Sequence, residues 1–461
     1  MSAPAATVTP PAQRSDDPPG PLFWNPIAAG RDMMRDPLGR LMADWRDYGD
    51  VVRIRIGPLS YYGLVHPDHL QRVLQENHRN YVKGPIIGRT KILIGEGLFT
   101  SEGDFWLRQR RLAQPAFHRQ RIAGFAATMT GTAAAMLDDW SGAASTGAAF
   151  DLAAEMNRLT LRIVGRALFS LDLQGDAATV GAALVDALDV VTQRAFTLLP
   201  FPLWVPTVAN RRFVRARHML DQVVLRIIAE RRESGHDAGD LLSLLLSARD
   251  ADTGEGMTDR QLRDEVMTFL LAGHETTAVA LSWIWYLLGR HREVEQRLRD
   301  EVAAAVGRRT PTPEDLPALR YVRMVVDEAM RLYPPVWASG RQALADDRVG
   351  DYRIPAGAPV NLATWLTHRH PQFWPDPERF DPERFAPERA ATRHRFAYLP
   401  FSGGPRLCIG NEFALMEAVL LVTMMAQRYR IALVDPERTI EPDVKITLRP
   451  RGGVTVRVRN V

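Results

Sequence analysis

The sequence predicts a mainly α-helical protein with a small, mostly antiparallel β region, and three observations point there. From about Trp106 to Leu332 most windows repeat apolar residues at helical spacing. Alternating, extended runs fall near the start and in the last third. No long polar linker, low-complexity spacer or repeat divides the chain beyond its start, although 461 residues would make about three average domains.

The elements follow in order. Residues 1–26, rich in Pro, Ala, Ser and Asp, read as a disordered tail, and 27–461 as one domain. The tail has neither the basic start nor the apolar core of a signal peptide, so a cytoplasmic location is expected. DVVRIRIG (Asp50–Gly57) alternates apolar and charged residues, and after Pro58 the run YYGLV completes a two-stranded unit. HPDHLQRVLQ then starts a helix. Met267–Gly289 carries no Lys or Arg and nearly reaches membrane-spanning length, but His274, Glu275, Thr276 and Thr277 interrupt it. It reads as a helix through the centre of the protein, with a membrane span as the less favoured alternative, and no transmembrane anchor is expected. DYRIPAGAPVNLA and ITLRPRGGVTVRVRNV read as hairpins, the second turning at Gly452-Gly453.

Composition narrows the function. A net charge of +4, from 58 basic and 54 acidic residues, gives no reason to invoke nucleic acid. Lysine occurs only at Lys83, Lys91 and Lys445. Cys408 is the only cysteine, which excludes an internal disulfide and a cysteine-rich zinc site. Three readings stand open for it: a buried small hydrophobe, a nucleophile with a histidine base, or a metal ligand.

Cys408 sits in FSGGPRLCIGNEF, a glycine-rich loop opening an apolar helix, where backbone N–H groups stabilise a thiolate. Within it Phe401, Gly404, Arg406, Cys408 and Gly410 spell F-x-x-G-x-R-x-C-x-G. Upstream, AGHETT puts Ala272 and Thr276 on one helix face, four residues apart, beside Gly273 and Glu275. EAMRLYPP places Glu328 and Arg331 one turn apart, and PERF recurs at 377–380 and 382–385. DFWLRQRR spaces Trp106 and Arg110 by four, and Arg341 lies in WASGRQA.

Together these segments resemble the cytochrome P450 family, over a stretch from about Asp50 to the C-terminus. The resemblance implies a bacterial-type monooxygenase of that fold, with heme b (iron protoporphyrin IX) held by the Cys408 thiolate. It implies that Trp106, Arg110 and Arg341 serve the haem propionates. Phe401, Arg406 and Gly410 would form the haem loop, and Ala272 and Gly273 the oxygen-binding groove. Glu275 and Thr276 would deliver protons. Glu328, Arg331 and Arg384, from the later PERF, would form a buried structural set. The implied reaction inserts one atom of O2 into a lipophilic molecule such as a fatty acid or terpenoid.

No nucleotide-binding fold is read after Asn411, so electrons are expected from a ferredoxin or flavodoxin with its reductase. The expected docking face is Arg108, Arg110, Arg111, His118, Arg119, Arg121, Arg393, His394 and Arg395. The pocket is expected to draw on 82–99 (with Ile86, Ile87, Leu93 and Ile94), 196–206, 336–339 and Thr447, with Arg89 or Lys91 as a carboxylate anchor. Alternatives are a peroxide-driven peroxygenase, a non-enzymatic haem sensor or carrier and, more distantly, a cysteine hydrolase.

Overall fold

The computed structural model describes residues 16–24, 35–171, 177–197, 200–250 and 252–461. Among these, ten helices exceed ten residues: α1 Pro37–Tyr48, α2 Gly103–Ala113, α3 Ala126–Asp139, α4 Leu152–Phe169, α5 Ala177–Phe196, α6 Val208–Ser234, α7 Asp259–Arg290, α8 Arg292–Ala305, α9 Arg320–Leu332 and α10 Asn411–Arg428.

The 32-residue α7, about 48 Å long, is the axis of the molecule. A reciprocal cap starts it: Thr258 Oγ1 accepts from the Gln261 N–H, and Gln261 Oε1 accepts from the Thr258 N–H. It is buried on nearly every side, against α4, α6, α9 and α10, which is why it is apolar all round. No helix among the described residues is long and apolar enough to cross a membrane.

The strands are β1 Leu22–Phe23, β2 Val51–Ile56, β3 Leu59–Leu64, β4 Tyr81–Lys83, β5 Phe150–Asp151, β6 Ser339–Ala343, β7 Asp347–Val349, β8 Tyr352–Ile354, β9 Pro359–Leu362, β10 Tyr429–Leu433, β11 Pro442–Val444, β12 Leu448–Pro450 and β13 Thr455–Asn460. A six-stranded sheet runs β1-β2-β3-β9-β6-β4, beside the smaller groups β10-β13-β5, β11-β12 and β7-β8. Only β1·β2 and β3·β9 pair in parallel among the described residues.

Three expectations change. Residues 16–24, read as disordered, lie along the sheet edge, where Pro19 O and Pro21 O accept from the Arg53 and Arg55 N–H groups; proline lacks a donor but can serve an edge. The 352–362 segment is not one hairpin: β8 pairs with β7, and β9 joins β3 and β6. The Gly452-Gly453 turn likewise separates β12, which pairs with β11, from β13, which pairs with β10 and β5.

Candidate active site

The Cys408 loop is fixed by close approach. Gly404 has φ +67°, and a Cβ there would sit 1.8 Å from Leu74 O, so no side chain fits. The Cys408 N–H donates to Phe401 O at 3.0 Å, and Gly410 caps α10. Burial pushes the Cys408 thiol up, while the Gly410 N–H and the Arg110 guanidinium pull it down. The residue is nonetheless solvent-accessible. A sulfur both enclosed and accessible faces an internal space.

Helix α7 opens at one place. From Asp264 to Leu288 all its residues are buried except Leu271, Ala272, Gly273 and Thr276, and of these Ala272 is exposed. Ala272 and Thr276 share this opening, and the Thr276 hydroxyl donates to Ala272 O at 2.6 Å. Gly273 also serves packing: a Cβ there would lie 2.9 Å from Val164 Cγ2, so the glycine lets α4 pack closely. Glu275 is also turned elsewhere. Its Oε1 accepts from Arg449 Nε at 2.6 Å and from the Thr447 hydroxyl. Burial holds the neighbouring His274 neutral, pushed down to about 4.

Cations gather beside the thiol loop. Lys83 and Arg341 are register partners across β4 and β6. The Arg406 guanidinium stacks 3.8 Å above the Trp106 ring and pairs with Glu102. Burial, then Arg341 and Arg406, push Lys83 down to about 7. Burial likewise lowers Arg406 to about 10, with Arg341 and Arg110 adding to it. The Glu102 carboxylate opposes Lys83, Arg341 and Arg406. Such an excess of buried positive charge calls for an anion. Arg110 donates from Nη1 to Leu407 O at 3.0 Å and so also ties α2 to the cysteine loop. An accessible enclosed sulfur, an opening in α7 and a cationic edge fit a flat apolar group with carboxylates and a thiolate-bound metal. These residues fit haem. Lys83 escaped the sequence reading because only the strand register brings it to Arg341.

Arg331 and Glu328 are completely buried. Arg331 donates to Glu328 from Nε at 2.7 Å and Nη2 at 2.8 Å, and to the carbonyls of His368, Pro377 and Arg379 at 3.0, 2.7 and 3.1 Å. All five of its N–H donors are used. Arg384, from the later PERF, lies 3.4 Å from Glu328, while Arg379, from the earlier one, contributes its carbonyl.

Several surface and pocket expectations change. Arg111 pairs with Asp252 and Asp250, and Arg108 donates to the carbonyls of Glu255 and Gly256. Arg393 stacks on Trp374 and His394 meets Asp68. His118, Arg119, Arg121 and Arg395 remain exposed on that face. Leu93 and Ile94 are core residues. Arg89 donates to the carbonyls of Arg194, Ala195 and Thr197, and Lys91 pairs with Glu96, so neither is an open anchor. Leu198 and Leu199 lie outside the described residues. Asp50, His66 and His370 bring ligand atoms within 4.8 Å of one another. However, Nδ1 of each ring accepts a backbone N–H, from Asp68 and Gln372. That leaves the hydrogen on Nε2, the reverse of what a metal-ligating imidazole needs.

Fold and site together define a haem-thiolate monooxygenase, an enzyme that puts one atom of O2 into a lipophilic small molecule with electrons from redox partners. The cytochrome P450 family model matches residues 15–456, and the chain belongs to that family. It is 39% identical over 408 residues to cyclooctat-9-en-7-ol 5-monooxygenase of Streptomyces melanosporofaciens, covering 86% of this chain and 87% of that one. It is 35% identical over 428 residues to pentalenene oxygenase of Streptomyces avermitilis, covering 92% and 91%. Among solved structures, the cytochrome P450DA heme domain superposes with a TM-score of 0.85 at 28% identity, covering 96% of this chain and 98% of that one.

Proposed function

We propose that this monooxygenase hydroxylates a terpenoid or a similarly apolar molecule, using iron protoporphyrin IX ligated by Cys408, in the cytoplasm, with electrons from a ferredoxin or flavodoxin and its reductase. The observation that carries the cofactor assignment is Cys408 itself, accessible yet enclosed, beside the largely buried cations Lys83, Arg341 and Arg406. The names of two similar Streptomyces proteins support the substrate class.

When bound, the haem supplies the oxygen activation. The chain's residues do the rest. Lys83, Arg341 and Arg406, with Trp106 beside them, hold the two carboxylates. Arginine suits this task because its fork bonds both oxygens of an acid. Arg110 supports the cysteine loop and favours the thiolate. Phe401 and Gly410 keep that loop in place, and Ala272 leaves room for the ligand. The Thr276 hydroxyl holds a proton at Oγ1, and Glu275 is the proton source behind it. Glu328, Arg331 and Arg384 are structural. His118, Arg119, Arg121 and Arg395 form the reduced basic face left for an acidic electron donor.

The test is turnover of the holoenzyme with a ferredoxin, its reductase and a panel of terpenes and fatty acids under isotopically labelled O2. The expected result is a product carrying one labelled oxygen from a terpene. Exclusive turnover of fatty acids would overturn the substrate class, and turnover on peroxide alone would overturn the electron route.

A further inference from the structure

Four arginines line a cavity of about 780 Å³ formed by residues 372–394 and open to solvent. Small-molecule pockets span about 300–1,000 Å³, so the space suits an organic ligand. Its cations are Arg379, Arg384, Arg389 and Arg393, and its carboxylates are Asp376 and Asp381. Arg384 is committed. It lies 3.4 Å from Glu328, and its Nη1 and Nη2 donate to Pro375 O at 2.5 Å and Asp376 O at 2.8 Å. The other three have N–H groups to spare. Arg379 is exposed, and its side chain makes no hydrogen bond or ion pair among the described residues. Arg389 Nη1 lies 3.8 Å from Asp381, beyond hydrogen-bond reach. Arg393 is half-buried, stacks 4.0 Å above the Trp374 ring and donates from Nη2 to Arg384 O, which uses one of its five N–H groups. Burial pushes Arg393 down to about 10, with Arg331 and Arg384 adding to it against the pull of Glu328. Of the two carboxylates, Asp381 already accepts from the Glu383 N–H. The cavity therefore offers more donors than its own acids satisfy.

We propose that this cavity binds the phosphate of a small phosphorylated molecule through Arg379, Arg389 and Arg393. Guanidinium forks match the oxygens of a phosphate, and a doubly charged group can engage several forks at once. The half-buried Phe373 ring supplies an apolar wall for the rest of the ligand. None of the cations Lys83, Arg341 and Arg406 lines this cavity. Occupancy would be felt at the cysteine loop by contact. Trp374 lies against Arg393 on one hand and 5.1 Å from the Arg331 guanidinium on the other, and its Nε1 donates to Ala397 O at 3.2 Å. A phosphate on Arg393 braces the segment that runs into the 401–410 loop. Because the ligand binds only the folded chain, it also stabilises it.

The experiment titrates the holoenzyme with pyrophosphate and with adenosine monophosphate by calorimetry at constant ionic strength, and repeats urea unfolding with each present. Saturable binding and a raised urea midpoint are expected. Arg379→Ala should weaken binding about fivefold, the worth of one solvent-screened guanidinium, and Arg379→Ala/Arg389→Ala about twenty-five-fold. Both residues are exposed, so these variants should fold. Arg393→Lys keeps the charge without the fork and should also weaken binding; the two exposed variants carry the test if it folds poorly. Arg459→Ala removes the same charge from the outer face of β13 and should bind as the wild type does. Tighter binding of adenosine monophosphate than of pyrophosphate assigns an organic phosphate ester, and binding of pyrophosphate alone assigns free polyphosphate. The proposal is overturned if neither probe binds saturably, if the double variant binds like the wild type, or if Arg459→Ala loses as much affinity as Arg379→Ala.

Discussion

Replacing Arg331 by lysine keeps the charge and removes the fork. The native guanidinium satisfies two carboxylate contacts and three carbonyls with five N–H groups, all in a site closed to solvent. Lysine has three donors, so at least two of the five acceptor contacts are lost. At about 1 to 1.5 kcal/mol per bond, more for contacts to the charged Glu328, Arg331→Lys is expected to cost about 2–4 kcal/mol. Arg331→Met is worse: it strands a buried carboxylate, at about 3–5 kcal/mol, and orphans three carbonyls. That total approaches the whole stability of an ordinary protein, about 5–15 kcal/mol, so little holoprotein should be recovered. Glu328→Met/Arg331→Met separates two accounts of the site. If charge pairing alone mattered, removing both partners would restore stability. The structure leaves three carbonyls and the Asp381 N–H, which donates to Glu328 at 2.9 Å, without partners, so the double variant should remain unstable. Urea unfolding followed by tryptophan fluorescence measures all three. An Arg331→Lys midpoint equal to the wild type, or a double variant restored to it, would refute the reasoning.

The remaining predictions concern the haem loop, the proton route and acid stability. Gly404→Ala places a Cβ 1.8 Å from a backbone oxygen at positive φ and should abolish pigment uptake; Gly452→Ala, also left-handed but with open space around it, should not. Equal pigment content in the two would contradict the loop account. Thr276→Ala should bind haem normally and release more peroxide per electron pair, and unchanged coupling would count against its role. Burial keeps His274 at about 4 and His368 at about 3, below the ordinary value of about 6.5. The unfolded chain then takes up these protons first, so their contribution is complete above pH about 6.5 and is lost as pH falls toward 4 and below. A urea midpoint that falls across this window, less steeply in His368→Gln, is expected; a flat profile would be inconsistent with neutral buried histidines.

The cysteine loop, the AGHETT helix and the Glu-x-x-Arg turn were legible because each packs its chemistry into a few consecutive residues. The long helix was legible from a long apolar stretch free of Lys and Arg, and the first strand pair from its alternation. What escaped depends on which distant segments meet. Lys83 matters only because β4 and β6 align it with Arg341. Gly273 announces a close approach without saying to what, and the answer is Val164. The Gly452-Gly453 turn is real, yet turn chemistry does not choose strand partners, and the strands on its two sides join different sheets. Arg449, Glu275 and Asp189 are far apart in the chain, so their shared contact has no local signature.

The central claim is that the one cysteine of this chain carries the iron. The absorbance spectrum of the reduced, carbon monoxide-bound holoprotein tests it most directly, because a thiolate and an imidazole ligand would place the main band at different positions. A thiolate-type spectrum that vanishes in Cys408→Ala is predicted. A histidine-type spectrum in freshly prepared wild type, or a thiolate-type spectrum surviving in Cys408→Ala, would contradict it.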